Sequence, residues 1–188
     1  MVALTPSQTV GPFFQDRLLN DAWNILTGPE TEGERIRVEG RVYDGDREPV
    51  GDAVIEIWQA DADGRYRQAA DGPEETPPTF IGFGRAGTDE RGSFWFETVK
   101  PGPVVWTSDS FQAPHINVHV LARGLLDHLR TRLYFEDEPA NSDDPLLQLV
   151  GPDRSSTLIG KRSMRDGIAI YRFDIVLQGP GETVFFEV

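Results

Sequence analysis

From Arg35 onward, apolar residues recur at every second position in short runs, and each run is closed by glycine, proline or an Asp-Gly pair. A period of two marks strands with one buried and one wet face, because successive side chains leave a strand on opposite sides. Ile36, Val38 and Val42 alternate with Arg35, Arg37, Glu39 and Arg41, and Phe94 and Phe96 alternate with Trp95 and Glu97 across Ser93 to Val99. Ala53 to Gln59, His115 to Ala122, Thr131 to Phe135, Ala169 to Leu177 and Thr183 to Glu187 read as further strands. Asp44-Gly45 and Asp63-Gly64 are tight-turn pairs, Gly84 to Gly92 reads as loop, and Lys100-Pro-Gly-Pro103 breaks the chain. Only Pro145 to Leu149 and Ser155 to Arg162 carry helical spacing within this region. Seven or eight short strands with little helix predict an all-β fold, a β-sandwich.

The first thirty residues follow another rule. Thr5 to Pro12 is rich in Pro, Gly, Ser and Thr and reads as an extended arm. Phe13 to Leu26 has Phe14, Leu18, Ala22, Ile25 and Leu26 at helical spacing, and Thr27-Gly28-Pro29 stops it. The expected organisation is one domain over 1–188, with arm and short helix in 1–30 and the sandwich in 35–188. Two adjacent phenylalanines in an arm favour a strap lying on a partner, since exposed aromatic surface costs free energy.

Composition removes several function classes. A net charge of −13, with only Lys100 and Lys161 as lysines, repels phosphate backbones and anionic membranes. The absence of cysteine excludes disulfides, thiolate metal sites and cysteine nucleophiles. No stretch approaches the roughly 20 apolar residues needed to span a bilayer, and the N-terminal residues do not read as a signal peptide. A cytoplasmic protein is expected.

The sharpest chemical feature is His115-Ile-Asn-Val-His119. In a strand, His115, Asn117 and His119 share a face, with neighbours about 7 Å apart and the outer pair about 13 Å apart. Positions 115 and 117 could grip one metal; 115 and 119 could not. Spacing alone leaves open the alternative that these are hydrogen-bonded core or interface residues. Asp61 and Asp63 flank a turn and read as backbone-capping groups.

Several blocks together resemble the intradiol ring-cleavage dioxygenases. They are Thr5 to Phe13 (TPSQTVGPF), Gly40 to Gly45 (GRVYDG), Trp58 to Tyr66 (WQADADGRY), Thr98 to Gly102 (TVKPG), Ala113 to Ile116 (APHI), Arg132 to Phe135 (RLYF) and Tyr171 to Val176 (YRFDIV). Ala122-Arg-Gly124 and Gly181 to Phe186 draw the likeness toward the metal-free alpha chain of the family's two-chain members. The resemblance implies a prealbumin-like β-sandwich and, in catalytic chains, a ferric ion held by two tyrosines and two histidines. Carried onto this chain, those four positions are Tyr66, Val104, His115 and Asn117. Valine has no donor atom and an amide is a feeble ligand for ferric iron, so these are expected to be vestigial metal positions, with no metal and no catalytic residue here. An arginine near the family's metal corresponds to Gln112.

The same resemblance implies that the arm closes over an iron site in a beta partner chain. Thr9, Gly11, Pro12 and Phe13 would wall that pocket, with Arg123 nearby to offset a substrate carboxylate. Phe13 lacks the hydroxyl of the tyrosine often found there. The expected activity of the pair is O2-dependent intradiol cleavage of 3,4-dihydroxybenzoate to 3-carboxy-cis,cis-muconate, with Fe(III) in the partner. Two alternatives stand beside it: a self-sufficient homo-oligomeric catechol dioxygenase with atypical ligands, and a non-catalytic β-sandwich binding module.

Overall fold

The computed structural model describes residues 7–11, 14–19, 22–66 and 80–187. Strand β1 (Arg35–Tyr43) buries Ile36, Val38 and Val42 and leaves the alternating arginines and glutamate on its outer side, as its period requires. β1 pairs antiparallel with β4 (Ser93–Val99) and parallel with β10 (Ile168–Arg172), then with the short β11 (Ile175–Val176). Gly40 is forced by packing: a Cβ there would lie 1.8 Å from the Phe173 carbonyl oxygen.

The second layer is β3 (Phe83–Gly87), β2 (Val54–Gln59), β7 (His115–Leu121) and β8 (Leu129–Phe135), antiparallel in that order. β9 (Ile159–Arg165) joins the layers, pairing with β8 through Ile159 and Gly160 and with β10 through the rest. One apolar core holds Ile36, Val38, Phe96, Ile55, Ile57, Ile116, Val118, Leu133 and Tyr171, drawn from both layers. This is the expected all-β sandwich. A smaller cluster of Ala113, Tyr134, Leu147 and Leu158 sits beside α2 (Pro145–Val150).

The differences from the sequence reading have physical causes. Among the described residues, the helix expected over Phe13 to Leu26 is only α1 (Phe14–Leu18). Past it the backbone is claimed by the sandwich: Arg85 N–H donates to the Trp23 carbonyl, Glu97 N–H to that of Asn24, and Leu26 N–H to that of Glu97. Groups bonded outward cannot also close helical turns. The glycines of 84–92 suggested a loop, yet Phe83–Gly87 is a strand in register with β2. Ser155 to Arg162 is not one helix; α3 (Pro152–Ser155) and a 3-10 turn end at Leu158, and Ile159 enters β9. Thr183 to Glu187 is not a strand, because Thr183 N–H bonds Val176 and Phe186 N–H bonds Arg130, single contacts to separate strands. Ala169 to Leu177 divides between β10 and β11, where Asp174 takes the Arg41 N–H with its side chain. A hairpin of β5 (Val104–Thr107) and β6 (Ser110–Gln112) had no periodic signal. Among the described residues no helix is long and apolar enough to cross a membrane.

Candidate functional site

The turn after β2 sets one wall of the site. Asp61 accepts the N–H groups of Asp63 and Arg65, the capping role expected of a turn aspartate. Gly64, with φ +81°, lets the Pro103 carbonyl approach to where a Cβ would stand, 2.0 Å away. This seats the turn that leads into Tyr66 beside the start of the β5–β6 hairpin. The Tyr66 ring stacks on Trp58, with centroids 6.2 Å apart and planes 8° from parallel.

The other wall is β7 beside β8. The phenol of Tyr66 lies 3.4 Å from His115 Nε2 and accepts the Asn117 amide at 2.9 Å. His115 Nδ1 donates to the Ala113 carbonyl at 2.8 Å, so Nε2 is left as the acceptor for the phenol. Three of the four positions carried over from the family resemblance therefore meet, and Val104 leads the adjoining hairpin. Burial and then the neighbouring Arg132 guanidinium depress His115 to about 4, so its imidazole is neutral. Burial raises the phenols of Tyr66 and Tyr134.

Arg132 is the residue that sequence reasoning passed over. Its Nε donates to the Asn117 side-chain oxygen at 3.1 Å, and its Nη1 donates to Gln112 at 3.1 Å and to the Tyr134 hydroxyl at 3.3 Å. Tyr134 in turn donates to Asp144, a fully buried carboxylate that also accepts the N–H groups of Ala113, Leu146 and Leu147. Alternation along β8 puts Arg132 on the outer side, but only the β7–β8 register, which pairs Asn117 with Arg132, reveals the contact.

Ferric iron does not fit this donor set. Val104 offers nothing, Asn117 has both ends of its amide engaged, and Tyr66 and His115 are turned toward each other. Among the described residues, no three His, Asp or Glu side chains are grouped to hold a metal ion.

The arm residues lie elsewhere. Thr9 Oγ1 accepts the Gly124 N–H at 2.8 Å, so the arm touches the Arg123-Gly124 turn that follows β7. Arg123 pairs with Asp52 and is largely exposed. Gly11 is exposed, its carbonyl accepting the Phe14 N–H, while Pro12 and Phe13 lie outside the described residues. Asn117 and Arg123 are six residues apart along an extended path, about 20 Å at roughly 3.3 Å per residue. The two groups of candidate residues thus occupy opposite ends of β7.

A family model described as Dioxygenase matches residues 10–179. The protocatechuate 3,4-dioxygenase alpha chain of Pseudomonas putida is 45% identical over 97% of this chain and 96% of its own length. The chain belongs to the intradiol ring-cleavage dioxygenase family. Within that family it is also 36% identical to the protocatechuate 3,4-dioxygenase beta chain of Burkholderia cepacia, over 85% of this chain and 71% of that one. Among solved members, the dioxygenase domain of a dioxygenase carbohydrate-binding protein fusion from Streptomyces sp. SirexAA-E superposes with a TM-score of 0.65 at 28% identity, covering 94% of this chain and 99% of that domain.

Proposed function

We propose that this chain is the metal-free alpha subunit of a protocatechuate 3,4-dioxygenase, completing the pocket of a beta subunit that cleaves 3,4-dihydroxybenzoate between its hydroxyls. The observation that carries the reading is similarity to an alpha chain, 45% identical over nearly the whole of both sequences. The family's ferric ion, which supplies the oxygenation chemistry, belongs on this reading to the partner. Here Tyr66, Val104, His115 and Asn117 are relics, hydrogen-bonded where a catalytic chain keeps its ligands. The pocket wall offered to the partner is Thr9, Gly11, Pro12 and Phe13, with Arg123 beside them.

Two features support a subunit that serves another chain's chemistry. The arm touches the molecule at the opposite end of β7 from its own degenerate site. The hairpin that rims that site exposes Val105, Trp106 and Phe111, apolar surface that an isolated chain gains nothing by showing to water. A cytoplasmic location accords with the lack of cysteine.

Co-expression with a beta chain tests this. The pair is expected to be iron-loaded, reddish and active on 3,4-dihydroxybenzoate, while this chain alone is colourless and inactive. An iron-loaded, active homo-oligomer of this chain would overturn the reading in favour of a self-sufficient enzyme. A stable monomer indifferent to any beta chain would favour a binding module.

A further inference from the structure

Strand β3 has an unusual composition for a strand, with glycine at 84 and 87 around Arg85. Each glycine has something packed into the space a side chain would take. A Cβ at Gly84 would lie 2.6 Å from Leu26 Cδ1 and 2.9 Å from the Trp23 carbonyl oxygen. One at Gly87 would lie 2.4 Å from Leu19 Cδ1 and 2.5 Å from Gln15 Nε2. The strand is bare because the N-terminal segment lies against it.

Arg85 holds that segment at several points. Its backbone N–H donates to the Trp23 carbonyl at 2.9 Å, its Nη1 donates to the Leu18 carbonyl at 3.1 Å, and its guanidinium sits 4.7 Å from the Trp23 ring centroid. The fork is itself fixed by Glu56, which takes Nε at 2.7 Å and Nη2 at 2.5 Å. Both side chains are mostly shielded, at 14% and 19% exposure, so the pair is far less screened than a surface ion pair. Gln15 adds a bond from its Nε2 to the Thr88 carbonyl at 2.9 Å. An arginine locked by one carboxylate, with donors left to grip the end of α1, suits a planar five-donor group and not an ammonium.

We infer that β3 is a cradle for the N-terminal segment and that Arg85 is a positioning residue, setting where the arm meets the partner's substrate pocket. The inference rests on the reading of the arm given above. Arg85 touches no proposed pocket residue; it acts through α1 and Trp23, which carry the chain back to Gly11 and Thr9. Its loss releases the segment from the sheet while leaving the beta chain's chemistry intact.

The test uses the assembled alpha–beta complex carrying Arg85→Ala, Arg85→Lys or Gly84→Ala, the last pushing on the Trp23 backbone without touching charge. Two quantities are read: amide hydrogen exchange in peptides covering 14–27, and steady-state kinetics with 3,4-dihydroxybenzoate. Expected for Arg85→Ala are faster exchange in that segment and a rise of roughly tenfold in KM with kcat changed less than about twofold, the pattern of lost uniform binding. Gly84→Ala should reproduce it, and Arg85→Lys should fall between wild type and Ala. Unchanged exchange in variants that assemble would overturn the cradle, and faster exchange with unchanged KM would overturn its control of the pocket. Should Arg85→Ala fail to assemble, the other two variants decide by the same readings. An inactive wild-type pair would instead sink the reading of the arm, leaving the cradle to stand or fall on exchange alone.

Discussion

Asn117 donates its side-chain amide to the Tyr66 phenol at 2.9 Å, while its oxygen receives Arg132. An amide suits this place because it has both a donor and an acceptor to offer, one for a neutral phenol and one for a cation. A neutral imidazole also has one donor and one acceptor, but only a single N–H, whereas the Asn117 amide nitrogen also donates to the Trp58 carbonyl at 3.2 Å.

Restoring one ligand should therefore not restore a metal site. Asn117→His leaves Val104 without a donor, and Arg132 stays bound to Gln112 and Tyr134 beside the new imidazole, so the purified chain should stay colourless with substoichiometric iron. Val104→Tyr should behave alike. Iron analysis and visible absorption after expression in iron-supplemented medium check this; a stoichiometric, coloured single variant would refute the account of the donor set.

How much of this was legible before folding follows from the range of each interaction. The alternation of Ile36, Val38 and Val42 gave β1 because a strand's period is local, and the Asp61 turn was legible for the same reason. Strand β3 was not, since Gly84 and Gly87 make sense only once Trp23 and Leu19 are seen lying on them. The helix at the N-terminus was overstated because its last turns are unwound by bonds to residues some seventy positions away, Glu97 among them. In the site, spacing already put His115 and Asn117 on one strand face, but Tyr66 could be joined to them only by way of family resemblance. Arg132 needed the β7–β8 register, and no spacing along the chain encodes which residue of one strand faces which of the next.

His115 gives a pH signature. Burial first, and the Arg132 charge second, hold it at about 4, against about 6.5 in an unfolded chain. Because the folded value is the lower, the unfolded chain takes up the proton first. The contribution is complete above about 6.5 and is lost as pH falls toward 4, amounting to about 2 kcal/mol by pH 5. Urea unfolding at pH 7 and pH 5 should show wild type losing about that much more than His115→Asn, which keeps a donor toward the Ala113 carbonyl. Identical pH dependence in the two proteins would show that His115 is not buried neutral.

Thr9 separates function from stability. Its hydroxyl accepts the Gly124 N–H at an exposed position, where water can replace it. Thr9→Val should shift unfolding stability by no more than about 0.5 kcal/mol. In the alpha–beta pair, if the arm walls the pocket, the same change should raise KM for 3,4-dihydroxybenzoate several-fold. Thermal melting and steady-state kinetics on one preparation read both quantities, and a KM equal to wild type would remove Thr9 from the pocket wall.

Asp144 should be the most costly of these positions to alter. Its carboxylate is fully buried, and it survives there because four donors surround it: Tyr134, Ala113 N–H, and the Leu146 and Leu147 N–H groups at the start of α2. Asp144→Ala strands those donors at once, and each bond to a buried charge is worth about 1.5–3 kcal/mol, less than additively. A loss of about 3–5 kcal/mol is expected, enough to threaten folding of a domain of ordinary stability. Asp144→Asn keeps the shape and one acceptor oxygen but turns two N–H groups toward the donors of Ala113 or α2, so it should lie between. The order of urea midpoints, wild type above Asn above Ala, checks the argument. The Asp144 charge itself raises the His115 pKa, so the Asn variant should hold the imidazole neutral to still lower pH. That fall is measurable by NMR titration of the imidazole, and a titration unmoved or shifted upward would show that the Asp144 charge does not act on His115.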